Sequence, residues 1–499
     1  MTLRKNKKYF SYIDLFAGIG GFKIALDANG GKCLGFSEIN EDAITAYCKN
    51  FNERPENNVG DIKVTKDLPR HDLLTAGVPC QSWSIAGRNL GFDDDRGQLW
   101  NDTIYLLQKS KPKAFIFENV KGLVDPRNSE AFSYILSRIK MAGYHADFHV
   151  INSHEYGVPQ NRVRVYIIGF RDVDCYRKFD VPQFENQNLT LADVLGVEVQ
   201  DSESNKDTVE RDLFGKKIFE RKTSLSNKNG FNDYFLFNDI RNGNTTVHTW
   251  DIVDTTEREK EICYLLLKNR RKRTYGELDG NPLSIEHFRS LDPTISEGEL
   301  NELVEKGILK TVEYSYLVKK HKKNDLVDEE KELLGYAKEN KIIVDELKVI
   351  RALKIKRIPI SSTIESLKSK NVIECKEVRY EFKYTKISTG LFGIYRIFLP
   401  RTDIFSTLVA SDTNDYVTLN QIYPKNHEDY KKEFIEEIYK KGNYRKISKS
   451  EACIIQGFPG NFILPDERSR WMKLIGNSVS VPVIDMLCKA IIETGVFEN

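Results

Sequence analysis

None of the eight cysteines, at positions 33, 48, 80, 175, 263, 375, 453 and 488, forms a Cys-x-x-Cys pair. That absence argues against a zinc knuckle and against a disulfide framework, and for reduced intracellular thiols. No apolar run approaches the roughly 18 residues that a membrane span needs. Charge of one sign is missing too: the formal net charge is +2 over 499 residues, which excludes a protein that coats nucleic acid but permits one basic face. The expectation is a soluble, cytoplasmic protein. Two concentrated basic runs interrupt the balance, Arg270-Arg271-Lys272-Arg273 and Lys319-Lys320-His321-Lys322-Lys323. The sequence reads as free of internal repeats and low-complexity tracts.

The chain is long enough for two or three domains at roughly 100–200 residues each. Its first third alternates short apolar runs with helical periodicity. Tyr9 to Phe16 reads as a strand, Gly18, Gly20 and Gly21 as a glycine-rich turn, and Phe22, Ala25 and Leu26 recur at helical spacing. Glycines at such a turn let a nucleotide-like ligand approach the backbone at a helix N-terminus. The spacing Gly18-Ile19-Gly20-Gly21 is not Gly-x-Gly-x-x-Gly, which disfavours a hydride-transfer cofactor. A second strand, Lys32 to Ser37, ends in Glu38, where such folds bind a ribose hydroxyl. A helix is predicted over Glu41–Phe51. Val59 to Ile62 reads as a third strand end carrying Asp61. Glu38 and Asp61 are either ligand carboxylates or surface charges beside turns.

Leu73 to Ala76 predicts a buried strand that delivers Cys80 to its carboxyl end, where the thiol is either a nucleophile or a small buried hydrophobe. A helix over Asn101–Lys109 precedes the strand Ala114 to Phe117, which runs directly into Glu118. A carboxylate in that position is partly desolvated and equipped to hold a proton, unless it serves as a helix cap or an ion-pair partner. A helix over Ser129–Met141 and a strand over Tyr144–Ile151 lead to Gln160–Gly169. There the two-residue period puts Arg162 and Arg164 on one face, as an anion or base-edge contact or as edge-strand ion pairs. The whole implies an α/β protein with a doubly wound, mostly parallel sheet over residues 1–170.

Residues 171–440 are polar and lysine-rich and lack the alternation, predicting a large inserted α+β domain. Within it, Ser284–Leu291 and Glu297–Lys306 form a helix pair that leads into the strand-like Lys310–Val318, the order of a winged helix around 250–320. From 441 the pattern is regular again: a helix over Ser448–Gln456, then Gly476-Asn477-Ser478-Val479, then an apolar helix over Val483–Glu493 predicted to rejoin the first sheet.

Six segments in this order resemble the blocks of the DNA cytosine-5 methyltransferases of bacterial restriction–modification systems. They are Asp14 to Phe22, Pro79-Cys80-Gln81, Glu118-Asn119-Val120, Gln160 to Arg164, Arg445 and Glu451 with Gln456 to Pro459, and Gly476 to Val479. The resemblance implies a class I S-adenosylmethionine-dependent methyltransferase fold and transfer of a methyl group from S-adenosyl-L-methionine to carbon 5 of cytosine. S-adenosyl-L-homocysteine is the implied product, and no metal takes part. It assigns Cys80 to attack on carbon 6 of the ring, Glu118 to the ring N3 and exocyclic amine, and Arg164 to the base carbonyl. Arg162 supports these or contacts phosphate. For the cofactor it implies Phe16, Gly18, Ile19, Gly20, Gly21, Glu38, Ile39, Asp61, Ile62, Pro79, Leu99, Asn477 and Ser478. For a flipped-out base and its duplex it implies Gln81, Ser84, Arg88, Arg96, Gln160, Thr407 and Leu408. The domains become a catalytic domain at 1–170, a target-recognition domain at 171–440 and a returning segment at 441–499. The implied partner is double-stranded DNA with a specific sequence, bound by a monomer that needs no membrane and no stable contact with its cognate restriction endonuclease. The alternatives are a tRNA cytosine-5 methyltransferase of the same fold, whose Cys-Phe-Thr motif is missing here, and a non-catalytic DNA-binding protein.

Overall fold

The computed structural model describes residues 10–79, 98–183, 189–199, 234–239, 245–319, 326–424 and 426–498. Cys80, Gln81, Ser84, Arg88 and Arg96 lie outside the described residues. The chain forms two compact units: Met1–Tyr234 with Ile397–Tyr423 and Ile438–Asn499, and Phe235–Arg396 with Pro424–Glu437.

The first unit is built on a six-stranded sheet. Its elements are β1 (Phe10–Leu15), α1 (Gly21–Ala28), β2 (Gly31–Ser37), α2 (Glu41–Phe51), β3 (Leu73–Gly77), α3 (Leu99–Ser110), β4 (Ala114–Val120), α4 (Ser129–Met141), β5 (His145–Asn152) and β6 (Val163–Phe170). The strand order is β2-β1-β3-β4-β6-β5. β2, β1, β3 and β4 run parallel, and β6 is antiparallel to both β4 and β5. Side chains alternate across the pleat. Tyr12, Leu73 and Ile116 therefore enter one core and Ile13, Leu74 and Phe117 the other. The sheet is covered on both faces, as a doubly wound sheet must be.

The expected third strand at Val59–Ile62 does not form. Asn58 makes a single bridge to Phe36. Its side-chain oxygen then accepts from the backbone of both Glu38 and Gly60, each at 3.0 Å. An asparagine that binds nearby backbone competes with the ladder, and Gly60 at φ 75 turns the chain away.

The second unit contains two copies of one architecture, correcting the expectation that the chain has no internal repeat. The first copy is α5 (Glu257–Asn269), α6 (Ile285–Leu291), α7 (Glu297–Glu305) and β7 (Leu309–Val318). The second is α8 (Asp328–Leu334), β8 (Lys341–Ile343), α9 (Val344–Val349), α10 (Arg351–Ile355), α11 (Ile360–Ser369) and β9 (Ile373–Phe382). Around 250–320 the order is three helices and then β7, and β7 pairs with β9, the last strand of the other copy.

The buried residues Leu300, Leu303, Ile308, Leu309 and Tyr316 recur as Ile364, Leu367, Val372, Ile373 and Tyr380, each pair separated by a constant 64 positions. Gly307 at φ 72 recurs as Asn371 at φ 56, the left-handed helix end that favours those two residue types. β7 and β9 pair antiparallel, and the register respects the repeat: Tyr316 faces Cys375 and Tyr380 faces Thr311. Each copy reaches the long strand of the other, the first through the single bridge of Leu283 to Tyr380 and the second through β8, with Ile342 opposite Tyr316. Tyr380 and Phe382 thereby complete the first copy's core, and Tyr316 the second's.

The chain then returns to the first unit as α12 (Lys449–Gln456), α13 (Arg468–Asn477) and α14 (Val481–Glu493). Arg468–Glu493 is long and apolar enough by length and composition to cross a membrane. It is two helices broken at Ser478–Ser480, and Ile484, Leu487 and Ile491 are buried with Phe22 and Leu26 of α1 in the sheet core.

Candidate active site

The parallel strands end at one edge, and the order reverses between β1 and β3, where open α/β sheets form their ligand crevice. Phe16 and Gly18 follow β1, Glu38 follows β2, Pro79 follows β3 and Glu118 lies near the end of β4. Phe16 is held at φ 54 and half buried. A left-handed non-glycine residue costs about 1–3 kcal/mol and persists where its surroundings enforce it, commonly at binding sites. Gly20, at φ 89, takes the same region without that cost and starts α1.

Glu38 is fixed rather than free. Its Oε2 accepts from Gly18 N at 2.8 Å, and its Oε1 from Ile39 N at 2.9 Å and Asn40 N at 2.8 Å. Beside it Ile39 is 70 % exposed, a large apolar surface at the crevice edge. Asp61 is half buried and accepts from Lys63 N at 3.0 Å, while Ile19, Ile62 and Leu99 are buried in the wall. The end of α13 closes the same region. A Cβ added to Gly21 would come within 2.7 Å of Val479 Cγ2, so Gly21 permits close packing of the glycine turn on the segment after Asn477. Asn477 itself is exposed, whereas Ser478 is buried and donates its hydroxyl to Ile475 O at 2.7 Å. A tight glycine turn, a pre-oriented carboxylate, a half-buried aromatic ring and an exposed apolar side chain suit an adenosine-like ligand.

Glu118 is opposite Gly77 in β3 and opposite Tyr166 in β6, and Arg164 is opposite Val120. Glu118 and Arg164 therefore project from the same face, and Arg164 Nε lies 3.1 Å from Glu118 Oε1. Burial pushes the Glu118 carboxyl up from its ordinary value, opposed by the guanidinium groups of Arg164 and Arg162. Asn119, whose part the motif did not reveal, donates its side-chain amide to Val78 O at 3.1 Å. That bond ties the end of β4 to the segment two residues before Cys80.

Arg162 is held differently from Arg164. It precedes β6, is 2 % exposed, and donates to three carbonyls: Leu408 at 3.1 Å, Gly476 at 3.1 Å and Ser478 at 2.6 Å. Its guanidinium is engaged by the protein's own backbone in this arrangement. Gln160 likewise is fully buried and donates to Ile455 O and Gln456 Oε1, so it braces α12 rather than reaching DNA. Gln456 continues the network by donating to Ser478 O at 3.0 Å. Leu408, expected at the DNA, is 2 % exposed within the sheet core. Thr407 is half buried, with its hydroxyl directed at Asn161 O. Gly476 allows this crossing: a Cβ there would lie 2.5 Å from backbone atoms of Val409 and Ala410. Arg445 grips Glu451 through two bonds of 2.8 and 2.7 Å, and Glu451 completes a capping box with Ser448 at the start of α12.

Among the described residues no group of three or more His, Cys, Asp or Glu side chains could hold a metal ion.

Residues 10–277 and 295–493 match the model of the family described as C-5 cytosine-specific DNA methylase. The Type II methyltransferase M.HgiBI of Herpetosiphon aurantiacus is 39% identical over 492 residues, covering 98% of each chain. M.HgiCII from the same organism is 38% identical over 493 residues, again covering 98% of each. M.BanI of Aneurinibacillus aneurinilyticus is 28% identical over 512 residues, covering 98% of this chain and 96% of its own.

Proposed function

The chain belongs to the C-5 cytosine-specific DNA methylases, and on that premise we propose that it methylates carbon 5 of a cytosine flipped out of a specific duplex DNA sequence. The donor is S-adenosyl-L-methionine, the product S-adenosyl-L-homocysteine, and the setting a Type II restriction–modification system. The observation that carries this reading is the Glu118–Arg164 pair, 3.1 Å apart at the strand edge. A flipped base is needed because a stacked cytosine cannot reach a pocket of this kind.

The glycine turn, Phe16, Glu38, Ile39 and Asp61 would hold the cofactor, with Glu38 positioned for ribose hydroxyls by the three backbone groups that orient it. When bound, S-adenosyl-L-methionine supplies an electrophilic methyl group. The chain supplies the activation of a carbon that is otherwise too weak a nucleophile. The Cys80 thiolate adds to carbon 6 and transfers electron density to carbon 5. Glu118, its pKa raised by burial, retains a proton at pH values where a surface carboxyl has lost it. It can therefore donate to ring N3 as the thiolate adds. Arg164 holds Glu118 in the free protein and supplies a cation for the base carbonyl. Loss of the carbon 5 proton, to water, releases Cys80. Arg162, Gln160 and Gln456 keep β6 and the start of α14 in register so that these groups meet. The enzyme acts as a monomer on bacterial cytoplasmic DNA, paired functionally with a restriction endonuclease.

The test replaces Cys80 with alanine. Labelled methyl transfer to duplex DNA should vanish while DNA binding survives; transfer retained in Cys80→Ala would refute the nucleophile.

A further inference from the structure

The two repeats share a core but not a surface. Over 285–306, which contains α6 and α7, there are six acidic and two basic residues; over 344–370, which contains α9 to α11, there are three acidic and seven basic. On α7 the exposed positions include Glu297, Glu302 and Glu305, which repel a polyanion. On the equivalent elements of the second copy the exposed positions include Arg351, Lys354, Lys356 and Arg357, then Ser361 and Ser362 in the first turn of α11.

Not all of these cations are available. Lys356 pairs with Glu332 at 2.8 Å, Lys370 with Glu330 at 2.8 Å, and Lys368 with Glu313 at 2.5 Å. The side chains of Arg351, Lys354 and Arg357 are exposed and make no hydrogen bond or ion pair with the described residues. Unpaired cations concentrated on one helix–turn–helix raise the local potential without offsetting partners. Arg357 occupies the left-handed region at φ 54, in the turn between α10 and α11. The equivalent helix end one element later is occupied by Asn371, a residue suited to that geometry. An arginine in this conformation is strained, and strain of that kind concentrates at functional sites. Ile355, 70 % exposed between Lys354 and Lys356, adds an apolar side chain to the same surface.

We propose that the second repeat docks on duplex DNA through the end of α10, the turn after it and the first turn of α11, and that the acidic first repeat does not. The fold supplies the geometry, since a helix–turn–helix lays its second helix against a groove while flanking cations meet phosphates. The small hydroxyls of Ser361 and Ser362 leave room for close approach. The proposal rests on the reading of this protein as a duplex-DNA methyltransferase. It moves the docking face away from the basic run at 270–273, where Arg270 is buried against Glu381 and the Phe382 ring.

The experiment measures binding of the full-length chain to duplex DNA as a function of salt. Each lost phosphate contact lowers the slope of log K against log salt by about 1. Arg351→Gln, Lys354→Gln and Arg357→Gln combined should lower that slope by about 2–3 and weaken binding at least about tenfold near 0.1 M salt. Its thermal melting should be unchanged. Arg351→Lys with Arg357→Lys should keep the wild-type slope, because phosphate neutralisation needs charge rather than a particular cation. Glu297→Gln with Glu302→Gln should leave affinity within about twofold, as expected for positions away from the phosphates. A folded triple variant with wild-type affinity and slope overturns the proposal. So does a loss of tRNA binding with duplex binding intact, which would make this an RNA surface. Methyl transfer by the wild-type chain is scored separately: DNA methylation with an unaltered triple variant sinks the docking face alone, and absence of methylation sinks the functional reading instead.

Discussion

Arg162 just precedes β6 and Arg351 opens α10, and the surroundings of these two arginines could hardly differ more. At the end of the strands of the six-stranded sheet, charge is buried or half buried and met by partners: Arg162 meets three carbonyls, Arg164 meets Glu118, and Glu38 meets three backbone N–H groups. On the second repeat, Arg351, Lys354 and Arg357 are exposed, with no partner among the described residues. Chemistry on a base needs groups held at fixed distances, so each residue's identity is dictated by its partners. Docking on phosphates needs net positive charge in roughly the right place, which many sequences can provide.

That contrast yields graded expectations. The largest effect belongs to Glu118. Glu118→Gln keeps the shape but removes the titrating carboxyl, and methyl transfer should fall by about 10²–10⁴, the usual contribution of a positioned proton donor. Cofactor affinity, measured by titration calorimetry, should hardly change; an unaltered rate would mean that the matched edge is structural and not catalytic. Next comes Arg162→Met, which takes the guanidinium from the buried Leu408 and Gly476 carbonyls and leaves Ser478 O only its bond from Gln456. At roughly 1–3 kcal/mol for each unmade buried bond, unfolding should need at least about 2 kcal/mol less, read from urea titration. A smaller loss, accompanied by a changed salt slope for DNA binding, would show Arg162 to be a phosphate contact after all and erase the distinction from Arg351.

The smallest expectation concerns Asp14, fully buried with its Oδ1 accepting from the Thr75 hydroxyl at 2.9 Å. Burial pushes its pKa up from 3.8 to about 7. The folded chain therefore holds this proton between about pH 4 and 7 where the unfolded chain has released it. Stability from this group is present below pH 4, falls as pH rises through that window, and levels off above 7. Asp14→Asn should lose that slope, by up to roughly 1.4 kcal/mol per pH unit, in unfolding free energies compared at pH 5 and pH 8. An unchanged slope would mean that burial at this edge does not control protonation.

Much of the first unit was legible because local signals and final structure agree. Glu41–Phe51 and Ser129–Met141 form the helices predicted, the first with the Asn40 side chain accepting from Ala43 N as its cap. Short apolar runs became β3 and β4 and brought Pro79 and Glu118 to one edge. What escaped depends on partners far away in sequence. Gln160, Arg162 and Leu408 looked accessible to a motif reading, and their burial is set by contacts with residues 246 to 316 positions distant. Arg162 stands just before the strand, which begins at Val163. The third strand failed because Asn58 satisfied backbone groups that a ladder would have used.

The duplication escaped for a different reason. Only buried positions and one left-handed helix end carry it, and the intervening surface residues changed sign of charge between copies. The basic run most visible in the sequence misled as well: Arg270 faces inward to Glu381, while the unpaired cations are spread among apolar residues at 351, 354 and 357.

The most direct measurement of the central claim is nucleoside mass spectrometry after incubating the purified chain with methyl-labelled S-adenosyl-L-methionine and either duplex DNA or tRNA. Labelled 5-methyldeoxycytidine from the duplex with wild-type protein, none from tRNA, and none with Cys80→Ala is the predicted result. Label in tRNA alone, or label in DNA that survives the loss of Cys80, would contradict it.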